Sequence, residues 1–338
     1  MKFRFPAGGR IAAGAMVLLV ALVLAACGGG GGAGGEQSYT FRLAETHPED
    51  HPTTRADQRF AELVGERSDG RISIDVFPSS QLGEEASAIE QVQTGALELT
   101  RVSTSPMAEF TPRLGVFSLP FIFDSSEHMW SFLKGEDGQA LLDQLSDSGF
   151  KGLAYYDSGA RNFYTADREV RTPEDLQGLQ IRVQQSAINT ALMESFGAAA
   201  TPMDFGEVYS ALQTGVVDGA ENNWPSYLST SHYEVAPNYT LDEHTRVPEV
   251  LIMNQGAWDQ LNEEDKQIIQ DAATESVDFQ REEWDQAEQQ AQDELTGEGV
   301  NVIPVEDKEP WREAVQPVIE SYRDEYGDVL DQIEAAKP

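Results

Sequence analysis

The chain has 338 residues, of which 58 are Asp or Glu and 23 are Lys or Arg, so its formal net charge is −35. So acidic a surface repels phosphate backbones and excludes nucleic acid as a partner. It also favours a salt-rich medium, where the Debye length falls to about 3 Å near 1 M salt. A hydrophobic content of 40% excludes a mainly disordered chain, and the length suits two domains of ordinary size.

The first 26 residues are typical of an export signal. Lys2, Arg4 and Arg10 form a basic start, and residues 11–22 form an apolar run that is short for a membrane span. The segment Leu24-Ala25-Ala26-Cys27 then resembles a bacterial lipobox, whose cysteine is lipidated and becomes the first residue of the mature chain. We therefore expect residues 1–26 to be a lipoprotein signal peptide.

Cys27 is the only cysteine of the sequence. An intramolecular disulfide is therefore impossible, and a lipid anchor explains the residue better than a redox role. Glycine dominates residues 28–37, which suits a flexible tether. We expect residues 27–38 to hold an extracytoplasmic protein at a membrane, in the periplasm or at the cell surface. The alternative is an ordinary secretory signal with a chance cysteine.

The folded part of the chain opens with an α/β pattern. Apolar residues alternate over 39–43 and 72–76, which predicts two strands, and they recur at helical spacing over 56–64, which predicts a helix between them. Further along, Thr172-Pro173-Glu174-Asp175 predicts a helix start with proline at its first position, followed by a strand over 179–183.

A short unit occurs twice in the chain. Gln93-Thr94-Gly95-Ala96-Leu97-Glu98 and Gln213-Thr214-Gly215-Val216-Val217-Asp218 each follow an amphipathic helix. In each copy the glycine suits a left-handed helix cap, and the residues after it suit a strand. The duplication suggests two similar α/β lobes with a cleft between them. The alternative is that both copies are ordinary helix–strand junctions, which commonly end in glycine.

The second copy predicts a ligand-binding strand end. Asp204 and Glu207 form a capping-box pattern at a helix start. Residues 216–217 are expected to begin a short buried strand that delivers 221–222 to its carboxyl end. In α/β sheets, ligands bind at that end of the strands.

One very long helix is predicted over 262–296, because this stretch contains neither proline nor glycine and its apolar residues recur at helical intervals. At 1.5 Å per residue it would be about 50 Å long, more than either domain needs alone. We expect it to run along both lobes. Two helices with a break that the sequence does not mark are the alternative.

Neither a metal site nor a catalytic motif is evident. His47 and His51 flank Pro48, which interrupts the helix needed to bring an i, i+4 pair together. The sequence has no Gly-x-Ser-x-Gly elbow, phosphate-binding loop, dinucleotide fingerprint or Cys–His pair. Adjacent acids such as Glu84 and Glu85 are expected by chance in so acidic a chain. The sequence therefore favours a binding protein without a cofactor over an enzyme.

Three arginines lie in short apolar or strand-end contexts, at Arg101, Arg161 and Arg182. A guanidinium fork matches a carboxylate bidentately, so an arginine at a strand end suits an organic anion. Arg182 is the favoured candidate, because alternation turns it away from the apolar face of its strand. The alternative for each arginine is a pair with a neighbouring Asp or Glu. Asn222 is suited either to orient the same ligand or to form a turn.

An ordered series of motifs covers the chain from about residue 39 onward. It comprises Phe77-Pro78-Ser79-Ser80-Gln81-Leu82-Gly83, Leu119-Pro120-Phe121, Gly178-Leu179-Gln180-Ile181-Arg182-Val183, Gly197, Pro202-Met203, Phe205, Glu207-Val208-Tyr209, Ala211-Leu212-Gln213, Gly215-Val216-Val217-Asp218-Gly219 and Glu221-Asn222. This series resembles the solute-binding proteins of tripartite ATP-independent periplasmic (TRAP) transporters, of the DctP type.

The resemblance implies a two-lobe, type II-like periplasmic-binding-protein fold with a long helix spanning both lobes. Such a protein closes on its ligand and delivers it to membrane permease subunits. The family's carboxylate-gripping arginine falls on Arg182, its second cleft arginine on Arg161 and its polar asparagine on Asn222. Lobe I is expected to comprise 39–157 plus about 247–286, and lobe II about 158–246 plus 287–338.

The ligand expected from the resemblance is a small organic acid. In sialic-acid-binding relatives an acidic residue lies where this chain has Ser103, and proline usually follows the asparagine where this chain has Asn223, which disfavours sialic acid. The stretches 101–104 and 222–227 are similar to relatives that take sugar acids such as uronates. C4-dicarboxylates, keto acids and ectoine-like solutes remain alternatives.

Further pocket-lining positions of the family fall on Glu85, His47 and Ser103, and Arg101 remains a candidate from its context. Two other functions compete with transport. One is a secreted carbohydrate-active hydrolase that uses Glu221 as acid or base, and the other is a receptor subunit that signals to a sensor kinase.

Overall fold

The computed structural model describes residues 37–338, so the predicted signal peptide, Cys27 and most of the tether lie outside the described residues. Within this range, none of the helices combines the length and hydropathy needed to span a bilayer. The strands are β1 Tyr39–Ala44, β2 Ile72–Phe77, β3 Leu99–Ser103, β4 Phe150–Tyr156, β5 Arg161–Thr165, β6 Gln180–Val183, β7 Ala199–Pro202, β8 Gly219–Asn222, β9 Asn238–Thr245, β10 Glu249–Asn254 and β11 Asn301–Pro304. The α-helices are α1 Pro52–Arg67, α2 Glu85–Thr94, α3 Thr104–Met107, α4 Ser126–Leu133, α5 Glu136–Asp143, α6 Ala187–Ser195, α7 Val208–Gln213, α8 Trp224–Ser229, α9 Gln255–Asp259, α10 Glu263–Gly297, α11 Glu309–Ser321 and α12 Arg323–Ala335.

The first sheet has five strands in the order β2–β1–β3–β10–β4. β1 and β2 pair in parallel, with Tyr39 opposite Ile72, and α1 connects them, so the predicted strand–helix–strand unit is confirmed. α1 begins where it does because the His51 side chain accepts the Thr53 amide and Pro52 occupies the first helical position. We call this sheet and the side chains packed on it lobe I.

The second sheet has six strands in the order β11–β9–β5–β8–β6–β7. The strand predicted over 179–183 is β6, which pairs in parallel with β7 and β8. The predicted helix start before it forms a short 3-10 helix, Pro173–Leu176, and the Asp175 carboxylate accepts the Thr172 amide at 3.0 Å. We call this sheet and the side chains packed on it lobe II.

Both copies of the duplicated unit end a helix at a left-handed glycine, with φ of 77° at Gly95 and 70° at Gly215. The first copy leads into β3, which is parallel to β1, and the second leads into β8, which is parallel to β6. Ser103 ends β3 and Asn222 ends β8. The duplication therefore gives each lobe an equivalent helix–glycine–strand unit.

Two details predicted for the second copy are wrong. Val216 is 57% exposed and the strand begins only at Gly219, so 216–217 do not begin the strand, although Val217 is buried. The capping box at Asp204 does not form, because its carboxylate accepts the Gln185 side-chain amide at 2.8 Å instead of capping the short helix that follows. A tertiary contact has replaced the local one.

The helix predicted over 262–296 is continuous and corresponds to α10, so the alternative of two helices is wrong. Its first half contributes Ile269 and Val277 to the core of lobe I. Its last turns contribute Ala291 and Leu295 to a core of lobe II. The helix therefore packs against both lobes, as expected.

The end of the chain contributes to both lobes. Trp311 and Val315 of α11 pack in a core of lobe II, whereas Val329 and Ile333 of α12 pack in the core of lobe I. These contacts of α12 differ from the assignment of 287–338 to lobe II. The other lobe boundaries stay predictions.

Candidate ligand-binding site

A polar cavity with an empty volume of about 340 Å³ lies between side chains of both lobes. A second cavity of about 230 Å³ shares four of its lining residues and forms a side chamber of the same cleft. The main cavity is lined by Thr46, His47, Glu85 and Glu249 from lobe I and by Arg161, Arg182, Gln184, Phe205, Asn222, Asn223 and Ser226 from lobe II.

Strand ends bring these residues together. β1 leads toward His47, β6 leads into Gln184, and β8 ends on Asn222. β10 runs antiparallel to β3, so its first residue, Glu249, lies opposite Ser103, the last residue of β3. The cavity therefore lies at the edge of the sheets where ligands bind in α/β proteins.

Arg161 is buried and already has a carboxylate partner. Its Nη2 donates to Glu221 Oε1 at 2.8 Å, and its Nε donates to Oε2 of the same group. Nη2 also donates to the Glu221 carbonyl at 2.8 Å, and Nη1 donates to the Asn222 side-chain oxygen at 3.1 Å. Arg161 thus holds Asn222 in a fixed orientation at the cavity wall.

His244 completes a buried charge cluster behind this pair. Its Nδ1 lies 2.6 Å from Asp242 Oδ2, and its Nε2 lies 3.7 Å from Glu221 Oε2. Burial disfavours the charged imidazole, but Asp242 and Glu221 outweigh it and raise the pKa of His244 to about 9. Burial also opposes ionisation of Glu221, but Arg161 and His244 outweigh it and lower the pKa of Glu221 to about 2.

Arg182 is buried and differs from Arg161 in its partners. Its Nε and Nη2 donate to the Met203 carbonyl at 3.1 and 2.7 Å, and its guanidinium carbon lies 5.9 Å from the centre of the Phe205 ring. It forms no ion pair with an Asp or Glu among residues 37–338, and its Nη1 donates to none of their acceptors. Burial lowers the pKa of Arg182, and the charges of Glu221 and Glu85, neither of which forms an ion pair with it, only partly oppose this effect. A carboxylate on the free edge of this fork would supply the missing charge.

Arg101 is fully buried and does not line the cavity. Its guanidinium is shared by three carboxylates: Nε donates to Glu45 at 2.7 Å, and Nη1 donates to Glu249 at 2.7 Å and to Glu85 at 3.1 Å. Arg101 therefore pairs with acidic side chains of the protein, which was the alternative to ligand binding expected from the sequence. Its role is to hold two glutamates that do line the cavity.

Glu85, Ser103 and His47 lie in the same part of lobe I. The Ser103 amide donates to Glu85 Oε1 at 2.9 Å, so Ser103 lies behind Glu85 rather than in the cavity wall. Burial and the nearby Glu249 raise the pKa of Glu85 to about 7. The His47 ring stacks on His51 with 3.9 Å between centroids, and burial lowers its pKa.

Comparison with known proteins gives the family. The family model of DctP, described as bacterial extracellular solute-binding protein, family 7, matches residues 43–325. The chain belongs to the DctP family. A similar protein is the solute-binding protein of Chromohalobacter salexigens, 38% identical over 290 residues, which cover 86% of each chain.

Solved structures of DctP-type proteins share the architecture. A TRAP periplasmic solute-binding protein from Xanthobacter autotrophicus, with bound β-D-galacturonate, is 41% identical, with a TM-score of 0.85 over 88% of this chain and 100% of its own. The sugar acid binding protein from Advenella mimigardefordensis, in complex with galactonate, is 34% identical, with a TM-score of 0.86 over 89% of this chain and 99% of its own. The predicted two-lobe α/β fold is confirmed.

Several lining residues of this DctP-family site were missed from the sequence: Thr46, Gln184, Asn223, Ser226 and Glu249. Gln184 follows β6 directly, so the strand-end rule that selected Arg182 could also have selected it. Glu249 had a weaker signal, an acid immediately before an apolar run. Its partner Arg101 is 148 residues away in the chain, and only the fold brings them together.

Proposed function

We propose that this DctP-family protein captures a sugar acid in the interlobe cleft and delivers it to a TRAP membrane permease. A hexuronate such as galacturonate or glucuronate is the favoured ligand. The observation that carries the proposal is Arg182, a buried arginine without an ion pair among residues 37–338, in a polar cavity. A buried charge without a partner is costly, and a ligand carboxylate removes that cost.

The carboxylate binds the free edge of the Arg182 fork, through Nη1 and the remaining N–H of Nη2. Asn222 supplies the next contact, and Arg161 acts through Asn222, because its Nη1 orients the amide at 3.1 Å. His47 and Glu85 take ligand hydroxyls from lobe I. Ser103 and Arg101 act from behind, since each hydrogen-bonds Glu85.

The ligand class is supported by what similar proteins hold. Galacturonate is bound in the structure from Xanthobacter autotrophicus and galactonate in that from Advenella mimigardefordensis. The cavity suits such ligands, since hydroxyl and amide side chains at Thr46, Gln184 and Ser226 offer partners for sugar hydroxyls and Phe205 offers an apolar ring face.

The protein is proposed to act without turnover. Glu221, the acid or base of the hydrolase alternative, is fixed by Arg161, and its pKa of about 2 leaves it without a proton to donate near neutral pH. A ligand incubated with the protein should be recovered unchanged, whereas release of a product would establish an enzyme.

We further propose an extracytoplasmic location with a lipid anchor on Cys27. A Cys27→Ser variant should appear in the soluble fraction, while the unaltered chain should partition into detergent. If the variant and the unaltered chain both appear in the soluble fraction, the alternative of an ordinary secretory signal is favoured. Uptake of labelled galacturonate by cells that carry the permease subunits, with and without this chain, tests delivery directly.

The ligand is tested by a thermal-shift panel followed by calorimetry. The panel contains galacturonate, glucuronate, galactonate, succinate, pyruvate, ectoine and sialic acid. A ligand at ~100 times its dissociation constant adds about 2.7 kcal/mol to the free energy of unfolding, which raises the midpoint measurably. A shift with the sugar acids is expected. A shift only with succinate or pyruvate, or no shift after unfolding and refolding to remove copurified ligand, would overturn the proposal.

A further inference from the structure

The wall of the cleft contributed by lobe I carries excess negative charge. One guanidinium, that of Arg101, serves the carboxylates of Glu45, Glu85 and Glu249. Glu45 accepts hydrogen bonds from both Nε and Nη2 of Arg101, so it neutralises most of the positive charge of that guanidinium. Burial lowers the pKa of His47, on the same wall, which weakens its ability to offset this charge.

Two of these carboxylates, those of Glu85 and Glu249, have one oxygen each that accepts no hydrogen bond from residues 37–338. Glu85 uses Oε1 to accept from Arg101 and from the Ser103 amide, and Glu249 uses Oε2 to accept from Arg101. Glu85 Oε2 and Glu249 Oε1 accept no hydrogen bond from residues 37–338, and both residues line the cavity. Each glutamate therefore presents one acceptor to whatever occupies the cleft.

Among residues 37–338, no cation pairs with these two free oxygens, and the charge of Arg182 only partly offsets the rise in the pKa of Glu85. Arg161 donates two hydrogen bonds to the Glu221 carboxylate, and Arg182 lies in lobe II among the residues proposed to hold the ligand carboxylate. The cleft is thus polarised, with one available guanidinium in lobe II and two available carboxylate oxygens in lobe I.

We propose that Glu85 and Glu249 select sugar acids with a single carboxylate, by accepting ligand hydroxyls from the lobe I wall and by repelling a second carboxylate there. This inference rests on the proposed function. It narrows the ligand class to uronates and aldonates, and it excludes aldarates and C4-dicarboxylates as good ligands.

The selectivity has a physical basis, because a second ligand carboxylate would be a third anion beside the carboxylates of Glu85 and Glu249. Like charges brought together in a water-poor site repel one another strongly, whereas a hydroxyl donating to an ionised carboxylate forms a strong charge-assisted hydrogen bond. Burial is the main cause of the raised pKa of Glu85, about 7, and the nearby Glu249 adds to it, which agrees with a second negative charge at this wall.

Galactonate and galactarate form the matched pair of ligands for the test. They differ only at C6, which is a hydroxymethyl group in galactonate and a carboxylate in galactarate. Calorimetry at pH 8, above the pKa of Glu85 of about 7, should give the protein about 100-fold higher affinity for galactonate. In Glu249→Gln and Glu85→Gln, loss of one negative charge should reduce that ratio to about 10-fold or less.

Both variants should fold, because Arg101 keeps Glu45 and one further carboxylate in each. Glu62→Gln is the control: it removes one negative charge from an exposed i, i+3 pair with Arg59 and should leave the ratio unchanged. If Glu85→Gln does not fold, the ratio of the affinities of Glu249→Gln for galactonate and galactarate tests the inference alone. A ratio near one in the unaltered protein, or a ratio unchanged in the variants, would overturn this inference while galactonate binding left the proposed function intact. Failure of galacturonate, glucuronate and galactonate alike would instead overturn the proposed function.

Discussion

Arg161 and Glu221 form a bidentate ion pair inside lobe II, with Nη2 2.8 Å from Oε1 and both side chains 4% exposed. The pair belongs to a larger cluster, since Glu221 also faces His244. The cluster is structural in character, because its charges are matched within the protein. Arg182, on the same lobe, forms no ion pair with an Asp or Glu among residues 37–338 and is the arginine that we propose binds the ligand.

Breaking this pair from one side should be costly. Arg161→Met leaves Glu221 buried with His244 as its remaining cation, and we expect the free energy of unfolding to fall by about 3–5 kcal/mol. Replacing both residues by methionine should cost less than the single change, since no unmatched carboxylate remains at Glu221. Urea unfolding of the three proteins measures both values. A double variant as unstable as Arg161→Met would contradict the explanation.

Stability should also depend on alkaline pH through His244. The pKa of His244 is raised from 6.5 to about 9 in the folded protein, so its stabilisation is complete below about pH 6.5 and is lost as pH rises through 9. The free energy of unfolding should therefore decline across this window. His244→Gln should be less stable at pH 6 and should lack that decline. An identical slope in the variant would show that another group is responsible.

Arg182→Lys should separate binding from folding. Lysine keeps the positive charge but cannot reproduce the planar fork, so affinity for galacturonate should fall about 100-fold or more, and Arg182→Ala should lose still more. Folding should be nearly unaffected, because within residues 37–338 Arg182 donates only to the Met203 carbonyl. Calorimetry gives the affinity and urea unfolding the stability. Unchanged affinity in Arg182→Lys would refute the proposal that Arg182 binds the ligand carboxylate bidentately.

Much of this architecture could be predicted from local pattern. The strand–helix–strand unit, the glycine caps and α10 follow from periodicity and capping, which act over short stretches of chain. Arg182 could be selected because strand alternation and motif resemblance agreed. The partners of Arg101 could not, because its contacts with Glu45 and Glu249 span 56 and 148 residues of sequence and depend on how the strands are ordered.

The errors have the same origin. Asp204 and Glu207 have the spacing of a capping box, but Gln185 reaches Asp204 across the fold and takes its carboxylate. Similarly, Val329 and Ile333 of α12 pack in the core of lobe I, a contact that the local sequence pattern does not predict. Local rules identify which groups need a partner, and the tertiary fold decides which partner they obtain.

Gly219 offers a test of how the backbone positions the site. A Cβ at Gly219 would lie 2.6 Å from the Tyr164 carbonyl and 2.8 Å from a Thr165 methyl group, so β8 would have to move away from β5. Gly219→Ala should therefore lower the free energy of unfolding by about 1–3 kcal/mol and weaken galacturonate binding, because Asn222 lies on the displaced strand.

Gly297 is the matched control for this substitution. It ends α10, and a Cβ there would have no neighbour within 4 Å. Gly297→Ala should leave ligand affinity unchanged and raise the free energy of unfolding by about 0.5 kcal/mol, since alanine loses less backbone entropy in a helix. Because the two variants add the same methyl group, the difference between them isolates the packing of β8 against β5. Equal affinity in both would mean that β8 tolerates displacement without moving Asn222.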